Sequence, residues 1–163
     1  MRILGVDPET RRTGVGIIES CGSEYRLLHF EIISLKPTLP LIQRLTQIYR
    51  CLSEIIGRFQ PDVVALENVF YGKDLRAMVK IGEARACAML AASEKGVDVV
   101  EYAPARVKQS VSGNGRATKE QIQHMVKTLL NMKTPPPADG ADALAVAICH
   151  LHSAKVYVPV SHR

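Results

Sequence analysis

Apolar positions along the 163-residue chain change period twice. Residues 2 to 7 form a short apolar run and residues 13 to 20 form another, with the turn-like segment from Pro8 to Arg12 between them. Residues 25 to 35 are strand-like after the turn Cys21-Gly22-Ser23-Glu24. Three strands with such short connections predict an antiparallel meander. After Pro37 and Pro40 the period becomes helical. Leu41, Leu45, Ile48, Tyr49, Leu52, Ile55, Ile56 and Phe59 mark an amphipathic helix over residues 41 to 59. Val63-Val64-Ala65-Leu66 is continuously apolar, as in a central strand covered on both faces, and it ends on Glu67. A helix rich in Ala and Met follows over residues 74 to 95, then a fifth strand over 97 to 102. Strand, helix, strand, helix, strand through the middle of the chain implies parallel crossovers.

Pro104 opens a short helix to about Val111. Gly113-Asn114-Gly115-Arg116 is a loop, and Thr118 with Gln121 forms a capping-box pattern ahead of Ile122, Met125, Val126, Leu129 and Leu130. Pro135-Pro136-Pro137 separates that helix from a last one, from about Ala138 to Ser153. The expected architecture is α/β: a mixed five-stranded sheet, three antiparallel strands then two parallel, flanked by helices. Residues 1 to 155 are expected to form a single domain, with a short tail over 156 to 163.

Composition narrows the class. Hydrophobic residues make up 47% and charged residues 23%, which argues against a chain dominated by disorder. No apolar run approaches bilayer length, and the apolar opening is too short for a signal peptide, so a cytosolic protein with no membrane partner is expected. Cys21, Cys51, Cys87 and Cys149 form no C-x-x-C pair. They predict small buried thiols in a reducing compartment rather than a zinc site. Formal net charge is +5, and residues 104 to 133 carry six basic residues (Arg106, Lys108, Arg116, Lys119, Lys127, Lys133) against one acid, Glu120. Such a stretch is either a solvated face or a surface for a polyanion.

Four carboxylates occupy unusual places. Asp7 ends the first strand and Glu67 ends the fourth. Asp139 and Asp142 stand three apart, on one face of the first turn of the last helix. Capping and the helix dipole account for an Asp at a helix start, and Asp7 before Pro8 suits a turn. Glu67 is different, because an ionised carboxylate closing an apolar strand is costly unless paired, exposed or metal-bound. If the four converge, they are hard oxygen donors suited to magnesium or manganese. Two such ions serve phosphodiester displacement without a side-chain nucleophile. His150 and His152, two apart on a helix, do not share a face and are expected to be structural.

Four motifs, in order, are similar to those of the RuvC family of crossover junction endodeoxyribonucleases, over nearly the whole chain. They are Ile3-Leu4-Gly5-Val6-Asp7-Pro8 with Thr13-Gly14-Val15-Gly16, the run Gln60 to Phe70, the run Val107 to Ala117 leading into Thr118-Lys119-Glu120-Gln121, and Ala138-Asp139-Gly140-Ala141-Asp142-Ala143-Leu144-Ala145. The resemblance implies a ribonuclease H-like fold and a homodimer that introduces paired nicks across a four-way (Holliday) DNA junction in recombination and repair. It implies metal binding and catalysis by Asp7, Glu67, Asp139 and Asp142, with magnesium, or manganese, bound as two ions per subunit. It implies DNA contacts from Lys108 and Lys119, to which the basic stretch adds Arg116, and base stacking by Phe70. It also implies the branch-migration complex RuvAB as a partner. Glu9 departs from the family, which usually has Gly there. It would strain a positive-φ turn, or add repulsion beside the metals.

Three other functions compete. An actin-like sugar kinase also opens with an Asp strand, but needs a second lobe for which 163 residues leave little room. A module that binds branched DNA without cutting it would be favoured by loss of a carboxylate, and none is lost. A ribonuclease H proper carries its essential Glu in the first long helix, whereas here the Glu ends a strand.

Overall fold

The computed structural model describes residues 1–22, 24–68 and 74–156, except the side chains of residues 155 and 156. Strands β1 (Arg2–Asp7), β2 (Arg12–Cys21) and β3 (Glu24–Ser34) form the expected antiparallel meander, and β4 (Val63–Glu67) and β5 (Asp98–Tyr102) add parallel to β1 and to each other. The sheet order is β3-β2-β1-β4-β5. The two strands that end in carboxylates are therefore neighbours, with Val6 of β1 beside Leu66 of β4.

Helices α1 (Leu41–Phe59) and α2 (Leu75–Glu94) cover one face of the sheet, where Leu4, Val6, Val64 and Leu66 pack against Ile48, Leu52 and Ala88. Helices α3 (Pro104–Ser112), α4 (Lys119–Leu129) and α5 (Ala138–Val156) cover the other, where Ile3, Ile18 and Ala65 meet Val107, Val126, Leu144 and Ile148. Burying both faces explains why β4 is apolar throughout rather than alternating. The capping box at α4 forms as its pattern predicts: Gln121 N–H donates to Thr118 Oγ1 at 3.3 Å and Thr118 N–H donates to Gln121 Oε1 at 2.9 Å.

Helix α5 is the keystone of the second layer. Ala141, Ala143 to Cys149 and Leu151 are all buried, because the sheet lies below the helix and α3 and α4 lie beside it. Alanines keep its backbone close to β1. A β-carbon at Gly5 would stand 2.0 Å from the Ala143 carbonyl oxygen, so only glycine admits the helix here.

Two expectations need correction. The last helix runs to Val156, beyond Ser153, and so into the segment expected to be tail. The cysteines are not uniformly buried: Cys87 and Cys149 are, Cys51 is half-buried and Cys21 is exposed. Cys21 is the last residue of β2, at the turn into β3, where apolar sequence neighbours do not ensure cover.

Candidate active site

Strand periodicity aims the acidic residues. Side chains alternate between sheet faces, and Ile3 and Ala65 belong to the α5 face while Leu4, Val6, Val64 and Leu66 belong to the other. Continuing by twos from Ile3 and Gly5 puts Asp7 on the α5 face. Continuing from Val63 and Ala65 puts Glu67 there too. Helix α5 begins over the same end of the sheet and brings Asp142 to meet them. Asp7, Glu67 and Asp142 line one cleft of about 620 Å³, together with Glu9, Lys108 and Lys119.

The electrostatics are those of crowded like charges. Asp7 is pushed up from 3.8 to about 8, first by burial and then by the negative charges of Asp142, Glu67, Glu9 and Asp139. Its carboxylate has no hydrogen-bond or ion-pair partner among the described residues. Glu67 is pushed up from 4.5 to about 7, mainly by burial and then by Asp142, while Lys108 and Lys119 pull it back. Asp142 is also raised, by burial, against the opposing Lys119 ammonium 3.8 Å away.

Asp139 is placed differently. Its carboxylate does not line the cleft. It accepts a hydrogen bond from Arg12 Nε at 2.6 Å, across the start of β2. Among the described residues, no three acidic, histidine or cysteine side chains stand close enough to hold one ion. The donor set nevertheless fits a hard divalent cation. Several carboxylates share one cleft, with Asp7 half-buried and unpaired among the described residues, and they offer oxygen atoms only. A cation would relieve both the burial and the repulsion.

Of the basic residues, Lys108 and Lys119 reach the cleft. Arg116 is exposed in the loop between α3 and α4, where its backbone N–H donates to Asn114 Oδ1 at 2.9 Å, and it does not line the cleft. Phe70 lies outside the described residues. The histidines of α5 have structural partners: His150 Nδ1 is 2.8 Å from the Tyr102 hydroxyl, and His152 Nδ1 is 3.0 Å from the Ser110 hydroxyl.

Glu9 does not occupy a positive-φ turn; only Gln60 and Asn131 among the described non-glycine residues do. Backbone strain is thus excluded, and charge remains. Its carbonyl accepts from Thr13 Oγ1 at 2.6 Å, which ties down the turn between β1 and β2. Sequence reasoning missed Arg12, the partner of Asp139. Arg12 lies in the first turn beside Arg11, far in sequence from the dense basic run after residue 104, and carries no local signal of its partner.

The chain is similar to known proteins over nearly its whole length. The family described as "Crossover junction endodeoxyribonuclease RuvC" matches residues 3–150. The chain is 48% identical over 151 residues to the protein of that description from Desulforamulus reducens, covering 92% of this chain and 93% of the other. It is 47% identical over 162 residues to that of Dehalococcoides mccartyi, covering 99% and 98%. Among solved structures, Thermus thermophilus RuvC in complex with a Holliday junction substrate superposes with a TM-score of 0.91 at 36% identity, covering 96% of each chain. The yeast mitochondrial Holliday junction resolvase shares the fold, with a TM-score of 0.66 at 11% identity over 92% of this chain and 78% of the other.

Proposed function

The chain belongs to the RuvC family of crossover junction endodeoxyribonucleases, and from that premise we propose how its own residues make the cut. It is a metal-dependent nuclease that resolves Holliday junctions in recombination and repair. The observation that carries the assignment of roles is the meeting of Asp7, Glu67 and Asp142 in one cleft with Lys108 and Lys119.

In this reading Asp7, Glu67, Asp139 and Asp142 hold magnesium, two ions per subunit, with manganese a workable substitute. When bound, such a pair stabilises the attacking and leaving oxygens of a phosphodiester displacement. The side chains otherwise do three things. The carboxylates would hold the cations, which would supply the positioning of the scissile phosphate. Lys108 and Lys119 neutralise the phosphate backbone at the cleft, and Arg116 extends that contact along the exposed α3–α4 loop. Phe70, two residues beyond Asn68 at the cleft, stacks on a base at the crossover.

Paired nicks require two such clefts, so the working unit is a homodimer. The exposed apolar side chains Leu75, Val79, Met89 and Leu90 of α2 support that helix as the interface. RuvAB is the expected partner, and residues 1 to 155 act as one nuclease domain. No helix among the described residues is long and apolar enough to cross a membrane, which is consistent with work on DNA in the cytoplasm. The test is to compare cleavage of a four-way DNA junction with cleavage of an RNA–DNA hybrid, each with magnesium. Junction cutting alone is expected, and preferential cutting of the hybrid would replace this reading with a ribonuclease H.

A further inference from the structure

Arg12 opens β2, two residues before Gly14, and so projects from the same face of the sheet, the face on which α5 rests. The first turn of α5 sits directly on that strand. There the Arg12 guanidinium meets the Asp139 carboxylate at 2.6 Å, with the two side chains 55% and 25% exposed. The turn that carries Arg12 is held by the bond from Thr13 to the Glu9 carbonyl and by Arg44 Nη1, 3.2 Å from Thr10 Oγ1. Arg12 is therefore presented from a fixed base, and it engages the one acidic residue of the four that does not line the cleft. The Asp139 charge is still felt at Asp7, so its carboxylate is close to the cleft while committed to another cation.

We propose that Arg12 is a positioning residue that latches Asp139 outside the metal site, so that a divalent ion must displace the guanidinium before Asp139 can ligate. The proposal rests on the reading of Asp139 as a metal ligand. An ion pair this exposed is weak enough to open, and the guanidinium it releases lies beside the cleft as a free cation for a DNA phosphate. Backbone DNA and metal then favour the same opened state. By linkage, each strengthens binding of the other.

The test measures manganese binding without DNA, from the loss of the free-ion electron paramagnetic resonance signal, so that no cleavage is needed. Arg12→Ala should bind manganese on the order of two- to five-fold more tightly than the parent, the range an exposed pair supports. In an Asp139→Asn background the same substitution should give no further gain, because the latch has nothing left to hold. Parent-like binding by Arg12→Ala, with Asp139→Asn clearly weakened, would overturn the latch and leave the ligand assignment standing. An equal gain in both backgrounds would reduce Arg12 to a through-space charge and also overturn it. Parent-like binding by Asp139→Asn alone would remove Asp139 from the ligand set, and the latch with it.

Discussion

Gly14 lies directly beneath Asp139. A β-carbon built on Gly14 would stand 2.0 Å from the Asp139 carbonyl oxygen and 2.7 Å from its carbonyl carbon, both backbone atoms. Gly14 is also the antiparallel partner of Asp7. One glycine, the cross-strand neighbour of one proposed ligand, thus sets how closely the helix turn that carries two others approaches the sheet. Gly14→Ala should raise the first turn of α5 off the sheet. Forcing a methyl against backbone costs about 1–3 kcal/mol. A lower melting temperature is expected, together with weaker metal binding and loss of junction cleavage. A variant that melts and cuts like the parent would show that α5 tolerates a higher seat.

Cutting and binding should separate at the carboxylates. Asp7→Asn, Glu67→Gln, Asp139→Asn and Asp142→Asn each remove the charge of a proposed metal ligand without changing shape, and each should slow cleavage by orders of magnitude. Junction affinity, measured by gel shift without metal, should hold or rise, since less negative charge faces the phosphates. Near-parental cutting with magnesium by any one of them removes that residue from the ligand set.

Stability without metal should fall as pH rises. Burial and neighbouring carboxylates push Asp7 up from 3.8 to about 8 and Glu67 up from 4.5 to about 7. Between the ordinary and the raised values the folded chain holds protons that the unfolded chain has released. The unfolded state then binds fewer protons, and the slope of stability with pH is negative through that window. The metal-free protein should melt higher at about pH 5.5 than at about pH 8.5, and Asp7→Asn should remove much of that difference. Magnesium should raise the melting temperature more at the higher pH, where it meets ionised carboxylates. A pH dependence identical in Asp7→Asn and parent would mean that Asp7 does not carry the effect.

Salt dependence should identify the phosphate contacts. Lys119 is 3.8 Å from Asp142, and Lys108 lines the same cleft. Lys108→Ala and Lys119→Ala should each flatten the slope of log K against log salt by up to ~0.9, and turnover should drop as well. Arg116→Ala, in the loop away from the cleft, should flatten the slope and leave turnover on bound junction closer to that of the parent. Unchanged slopes for all three would make the basic stretch an ordinary solvated surface.

Phe70→Ala should cut intact junctions poorly. Stacking of an aromatic ring on a base is worth ~1–3 kcal/mol, comparable with the cost of unpairing a nucleotide. Phe70→Tyr should keep more activity than Phe70→Leu. A junction built with unpaired bases at the crossover should restore cutting by Phe70→Ala. Equal slowness on both substrates would count against stacking.

Most element boundaries were legible because each has a local cause, the end of α5 being the exception. The helical repeat of α1, the capping box of α4 and the proline run before α5 act within a few residues. The sheet order was partly legible, since short links demand antiparallel pairs and helical crossovers parallel ones. Which face each side chain takes was not, because Ile3-Leu4-Gly5-Val6 and Val63-Val64-Ala65-Leu66 are apolar on both sides. The placement of Asp7 and Glu67 on one face emerges only from the packing of α5 and α1 on opposite sides. The Arg12–Asp139 pair was further out of reach. It joins residues 127 positions apart, and no local pattern in an arginine-rich turn names its partner.

The chain order of the acidic residues has a consequence for biosynthesis. Asp7 leaves the ribosome in the first strand, but Asp139 and Asp142 belong to the last helix. The approach of Asp142 to Asp7 closes most of the length of the chain, which makes it an entropically demanding contact. A polypeptide still being translated carries the meander and β4 without their covering helix, and so has no assembled cleft. The proposed metal cleft is completed in one late step, with the docking of α5, so a partly made chain is not expected to nick DNA beforehand.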